Sequence, residues 1–154
     1  MNETVVVGFG NLLMGDDGAG IRVVERLNAL GLPPGARALD GGVASFEVLA
    51  GLRQAQAVII VDALAAGGAP GAIYRLTPAD LGAAAPDRVY SLHDFTLLEA
   101  LHLAAKVAPL PRIVIYGIEP ASVELGLELT PPVAQAVERV AHLILDELRS
   151  ELNA

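Results

Sequence analysis

The sequence contains no cysteine and a single lysine, Lys106. Without cysteine the chain has no disulfide, no thiolate metal ligand and no cysteine nucleophile, so any catalytic chemistry depends on oxygen and nitrogen side chains. Acidic residues outnumber basic residues by 18 to 10, and the arginines are scattered rather than clustered. This distribution disfavours nucleic acid as a partner.

Long apolar runs are also absent. A run such as 58–61 ends after a few residues, far short of the roughly 20 that cross a bilayer. The N-terminal residues lack the basic start and apolar stretch of a secretory signal, so we expect no membrane segment and a cytoplasmic location. The 154 residues, 53% of them hydrophobic, are enough for one domain over 1–154 whose core needs no disulfide.

Two frequent hydrolase motifs are missing, because no serine lies in G-x-S-x-G and no H-E-x-x-H occurs. The glycine-rich segment 8–18 matches the dinucleotide fingerprint G-x-G-x-x-G only in its first two glycines, since Leu13 stands at the third position. Asp16 and Asp17 follow, and two carboxylates at a helix start repel phosphate. A cation suits this segment better, and a nucleotide-binding α/β module remains an alternative.

Strand and helix patterns alternate along the chain. Short strand-like segments at 4–7, 36–39, 58–61, 71–76 and 112–116, most of them rich in β-branched residues, predict five strands. Amphipathic segments between and after them predict helices. The pattern favours an α/β fold, a three-layer α/β/α sandwich around a twisted, mostly parallel sheet of about five strands. We expect 71–76 to be an edge strand. In such sheets ligands bind outside the carboxyl ends of the strands.

Three residues in the loops at the carboxyl ends of the strands suggest a metal site. Asp17 follows the first strand, Asp62 follows the buried run 58–61, and His93 lies in the first turn of a predicted helix, where the positive helix end favours a neutral imidazole. Helix capping is the simplest role for Asp16 and Asp17 taken alone. Two carboxylates and an imidazole together suit a divalent metal with open positions, but their types do not choose between zinc, nickel, manganese and iron.

The motifs of these loops, read together, resemble those of the hydrogenase maturation proteases. The resemblance covers nearly the whole chain and rests on GFGN with the following DDG, DGG at 40–42, VDA at 61–63, SLH at 91–93 and GIEP at 117–120. It implies an endopeptidase that removes the C-terminal extension of a nickel–iron hydrogenase large-subunit precursor after nickel insertion. It also implies that nickel arrives with the precursor and serves as the recognition element.

Carried onto this sequence, the resemblance implies that Asp17, Asp62 and His93 contact the metal and take part in catalysis. Asp40, Gly41 and Gly42 are expected to form part of the substrate cleft. The family uses glutamate or aspartate at the position of Asp17, and its neighbour Asp16 is a further candidate. A non-catalytic, nickel-checking chaperone of the precursor is the second alternative, because it would use the same residues without cutting.

Overall fold

The computed structural model describes residues 3–43, 45–83, 90–91 and 94–152. Its strands are β1 (Thr4–Phe9), β2 (Ala36–Gly42), β3 (Ala57–Ala65), β4 (Ile73–Leu76), β5 (Tyr90–Ser91) and β6 (Arg112–Ile118). Five of them form one sheet in the order β2-β1-β3-β6-β4, and the two-residue β5 pairs with the end of β3. The predicted five-stranded, mostly parallel α/β sheet is therefore confirmed.

The helices are α1 (Ala19–Leu30), α2 (Ser45–Gly51), α3 (Pro78–Ala83), α4 (Asp94–Val107) and α5 (Pro131–Leu152). Apolar side chains of α1 and α5 pack on one face of the sheet against Val6, Ile59 and Val61. Those of α2 and α4 pack on the other face against Val7 and Ile60. Successive strand residues point to opposite faces and both faces are covered, so the runs 5–7 of β1 and 58–61 of β3 are continuously apolar instead of alternating with polar residues.

The direction of the edge strand is a feature that the sequence could not predict. β4 lies at the edge, as expected, and it runs antiparallel to β6, whereas the β2–β1, β1–β3 and β3–β6 pairs are all parallel. An antiparallel edge on an otherwise parallel sheet is common in mixed α/β folds. None of the helices that the structure describes is long and apolar enough to cross a membrane.

Three strands extend further than the sequence pattern predicts. β2 continues through Asp40 and Gly42, β3 continues through Asp62 to Ala65, and β6 continues through Ile118. Asp62 and Asp40 were expected in loops after their strands, and this expectation is wrong, because backbone pairing continues past the apolar runs that define the strands in sequence. A 3-10 helix, Gly15–Gly18, also precedes α1, which was expected to begin near Asp17.

Two glycines bring α1 unusually close to the sheet. A Cβ atom at Gly20 would lie 2.3 Å from the carbonyl oxygen of Val61 in β3, and a Cβ atom at Gly8 would lie 2.2 Å from the carbonyl oxygen of Gly20. Both contacts are with backbone atoms, which have little freedom to move aside. Glycine at both positions therefore allows the first turn of α1 to lie against the carboxyl-terminal ends of β1 and β3, beside Asp17 and Asp62.

Candidate functional site

Asp17 lies in the 3-10 helix before α1 and is almost fully buried, with 2% of its surface exposed. Its Oδ2 atom accepts the backbone N–H of Asn11 at 3.0 Å. The loop between them is tight, since Gly10 has φ +144° and a Cβ atom there would lie 2.0 Å from the carbonyl oxygen of Asp17. The glycine-rich segment thus holds the carboxylate of Asp17 near the carboxyl-terminal end of β1.

Asp62 lies in β3 with 1% of its surface exposed. The pairing between β1 and β3 ends at Gly8 and Val61, so Asp62 is the first residue of β3 that no longer pairs with β1. Its Oδ1 atom accepts the backbone N–H of Ala63 at 2.9 Å, and its Oδ2 atom has no hydrogen-bond partner among the residues that the structure describes. A buried carboxylate oxygen without a partner is energetically unfavourable unless a proton or a cation compensates for it.

Asp17 and Asp62 act on each other electrostatically. Burial raises the pKa of Asp62 well above its usual range; the hydrogen bond from Ala63 opposes this, and the negative charge of Asp17 adds to it. A divalent cation would offset the desolvation and the repulsion together, and carboxylate oxygens are ligands for such ions. The two side chains therefore fit the predicted metal contact.

Asp16 differs from its neighbour although its side chain is fully buried. Its Oδ2 atom accepts the N–H groups of Ala121 at 2.9 Å and Ser122 at 3.0 Å and the hydroxyl of Thr130 at 2.7 Å. Its Oδ1 atom accepts the N–H of Thr130 at 2.8 Å. Burial acts to raise the pKa of Asp16, but these bonds outweigh it and lower the pKa below its ordinary value. Its oxygens already have partners, which favours a structural role.

The predicted cleft residues 40–42 form a bulge at the end of β2. Gly8 pairs with Asp40 and Phe9 with Gly42, so Gly41 is the additional residue, and a Cβ atom there would lie 2.6 Å from the Phe9 ring. The exposed Asp40 accepts the N–H of Gly42 through Oδ1 at 2.7 Å. Gly42 in turn accepts the N–H of Gly10 at 3.0 Å, which joins this bulge to the loop that carries Asp17.

His93, the third predicted metal contact, lies outside the described residues. Ser91, two positions before it, pairs with Leu64, two positions after Asp62. Among the residues that are described, no three His, Asp or Glu side chains are placed to hold a metal ion. The other two histidines of the chain, His102 and His142, are exposed on α4 and α5.

Glu119, which belongs to the GIEP motif, is a buried carboxylate to which the sequence reading assigned no role. Its Oε1 atom accepts the N–H groups of Ala66 and Gly68 and the hydroxyl of Tyr74, at 2.8, 3.0 and 2.8 Å. Burial and the bond to Glu119 raise the pKa of Tyr74 to about 12. Glu119 therefore fixes the loop between β3 and β4. Glu119 follows an apolar run in the sequence, as Asp62 does, and this position could have predicted a buried carboxylate with a specific role.

The glycine-rich loop has few N–H groups left for a phosphate. Seven of its amides donate to acceptors within the protein, namely those of Gly10, Asn11, Leu13, Met14, Gly15, Asp16 and Asp17. Phosphate-binding loops present such groups to the ligand instead. Together with the two buried aspartates, this argues against the nucleotide-binding alternative.

A family model described as hydrogenase maturation protease matches residues 21–147. The chain belongs to the hydrogenase maturation protease family. Members of this family are hydrolases that act on peptide bonds. The resemblance stated from the loop motifs is thereby confirmed.

Individual members of the family match over most of the chain. The hydrogenase 2 maturation protease of Escherichia coli K12 is 31% identical over 94% of this chain and 90% of its own length. The hydrogenase expression/formation protein HupD of Rhodobacter capsulatus is 32% identical over 96% of this chain and 72% of its own length. A solved structure of the E. coli hydrogenase maturating endopeptidase HybD superposes with a TM-score of 0.81 at 30% identity, covering 97% of this chain and 93% of that one.

Proposed function

We propose that this chain is the endopeptidase that removes the C-terminal extension of a nickel–iron hydrogenase large-subunit precursor, in the cytoplasm, after nickel has been inserted. In this proposal nickel belongs to the substrate, and Asp17, Asp62 and His93 contact it when the precursor docks. Asp40, Gly41 and Gly42 border the cleft that receives the tail.

The observation that carries the proposal is the pair of buried carboxylates at the carboxyl-terminal ends of the central strands. Asp17 and Asp62 are 2% and 1% exposed, and the Oδ2 atom of Asp62 has no partner in the described part of the chain. Desolvation of two like charges is unfavourable unless a cation or a proton compensates for it. A precursor that brings nickel would supply that cation, whereas a nickel-free precursor would not. This difference gives a physical basis for recognising the loaded precursor.

Peptide hydrolysis also needs a group that accepts and returns a proton. Asp62 suits this role because it is buried at the carboxyl-terminal ends of the strands and its Oδ2 atom accepts no hydrogen bond from a described residue. Asp17 is held by the N–H of Asn11 and lies close enough to Asp62 to act on it electrostatically. A divalent cation supplies Lewis acidity toward the scissile carbonyl or toward water.

The test is mass spectrometry of a tail-bearing large subunit after incubation with the protein, with nickel-loaded and nickel-free precursors in parallel. We expect tail loss only from the loaded form. Asp62→Asn and Asp17→Asn should abolish it, and Asp146→Asn, the same change at a carboxylate with 77% of its side chain exposed, should not. His93→Gln and His142→Gln form the equivalent pair for the imidazole. A loaded precursor that binds but keeps its tail would favour the chaperone alternative.

A further inference from the structure

Three leucines are exposed on two neighbouring loops, and we call them the leucine patch. Leu13 is 56% exposed, Leu125 is 83% exposed and Leu127 is 62% exposed. Leu125 and Leu127 line a surface cavity of about 380 Å³. Single exposed leucines are ordinary, but grouped ones that border a cavity are typical of interaction surfaces.

The backbone holds the patch in one arrangement. Met14 and Gly126 form a parallel bridge, in which Gly126 donates to the carbonyl of Leu13 at 2.8 Å and Gly15 donates to the carbonyl of Gly126 at 2.9 Å. Leu13 precedes Met14 on one side of this isolated bridge, and Leu125 and Leu127 flank Gly126 on the other. The buried carboxylate of Asp16 joins the same two segments. The patch is thus preorganised, which reduces the entropy lost when a partner binds.

The surroundings of the patch are acidic. Glu124 and Glu128 are exposed and line the same cavity. The basic group nearby is Arg22, whose guanidinium donates to the carbonyl of Leu127 at 2.9 Å and to Glu25 at 3.0 Å, so its charge is already paired. A complementary partner would present apolar side chains next to lysine or arginine.

We propose that the leucine patch docks a segment of the large-subunit precursor that carries apolar side chains beside lysine or arginine. This inference rests on the proposed function. The patch is connected to the candidate site through the chain, because Leu13 belongs to the same loop in which the N–H of Asn11 binds Asp17. Binding energy from this contact, which lies away from the scissile bond, would then orient the tail toward Asp17 and Asp62.

The experiment measures the dissociation constant for the nickel-loaded precursor by biolayer interferometry and its cleavage by mass spectrometry. The test variant is Leu125→Ser with Leu127→Ser. The matched control is Leu103→Ser with Val107→Ser, which alters side chains 48% and 64% exposed on α4. We expect the test variant to raise Kd and KM by roughly tenfold or more with kcat unchanged, from lost apolar contacts. The control should match the wild type.

A charge variant gives a second readout that does not depend on the leucines. Glu124→Lys with Glu128→Lys should weaken binding and flatten its dependence on salt, because the attraction to basic side chains is lost. Unchanged Kd and unchanged salt dependence would overturn the charge argument and with it the proposed partner chemistry.

The outcomes separate this inference from the proposed function. If the wild type cuts the precursor and the leucine variant binds and cuts it equally well, the docking surface is wrong and the protease stands. If the wild type binds through the leucines without cutting, the protease is wrong and the docking surface stands. If light scattering shows a wild-type dimer that the leucine variant converts to monomer while precursor binding is unchanged, the patch is an interface between two copies and the inference is overturned.

Discussion

Replacing Asp16 by asparagine tests whether one buried carboxylate holds two distant loops together. Asp16 lies beside Asp17 in sequence, yet its four hydrogen bonds reach Ala121, Ser122 and Thr130, more than 100 residues away. Asparagine has nearly the same shape but a single acceptor oxygen. It keeps the most bonds when that oxygen replaces Oδ2 and its amide group faces the N–H of Thr130.

The expected loss of stability follows from this arrangement. One buried N–H is left without an acceptor, and the three remaining bonds lose the strength that a charged acceptor gives them. We estimate a cost of about 2–4 kcal/mol, since a hydrogen bond to a charged group contributes roughly 1.5–3 kcal/mol. For a chain of this length, 1 kcal/mol corresponds to roughly 2–4 °C, so the melting temperature should fall by roughly 5–15 °C.

The assay is thermal unfolding at several pH values, with Asp146→Asn as the control for loss of one charge. The hydrogen bonds hold the pKa of Asp16 below its ordinary value in the folded state, despite burial. Its contribution is therefore present above the unfolded pKa, about 4, and is lost as the pH falls through the lower folded pKa. The gap between wild type and Asp16→Asn should be constant at neutral pH and shrink below about pH 4. If the wild type and Asp16→Asn had the same melting temperature at pH 7, this account of Asp16 would be refuted.

Three further changes test other parts of the structure. Asp62→Asn should stabilise the metal-free protein by about 1–3 kcal/mol at high pH. Because the folded-state pKa of Asp62 is raised, its contribution to stability is fully present below about pH 4 and is lost as the pH rises through the folded pKa. Thermal melting at pH 4 and pH 9 measures this, and no gain for Asp62→Asn at pH 9 would contradict it. Glu119→Ala should lower the free energy of unfolding, measured by urea titration, by about 2–4 kcal/mol. Glu119→Gln keeps one acceptor oxygen and should lower it much less. Equal decreases for the two variants would show that the Oε1 hydrogen bonds do not matter. Gly20→Ala should destabilise by about 2 kcal/mol or more by forcing its Cβ against Val61, whereas Gly51→Ala, with no atom within 4 Å of the added carbon, should not.

Local patterns were enough to predict the layered architecture. The continuous apolar runs of β1 and β3 predict strands covered on both faces, and Val7 and Ile60 indeed pack on one face while Val6 and Ile59 pack on the other. The sequence also predicted that Asp17 and Asp62 meet at one sheet edge, because the carboxyl ends of parallel strands lie together.

Long-range pairing is what local patterns could not predict. The extension of β3 past Asp62 depends on hydrogen bonds to Gly117 and Ile118 of β6, more than 50 residues further along the chain. The difference between Asp16 and Asp17 depends likewise on partners after residue 120, because both are acidic residues at a helix start and look alike in sequence. The role of His93 stays a prediction.

The partners of Asp16 also bear on when the site forms during synthesis. Ribosomes release the chain from its N-terminus, and distant contacts form only once both segments exist. Residues 10–17 emerge early, but Asp16 cannot complete its bonds until Thr130 has emerged. A nascent chain that ends before Thr130 therefore lacks the finished loop around Asp17, and the carboxylate pair takes its final geometry only after Thr130 has emerged.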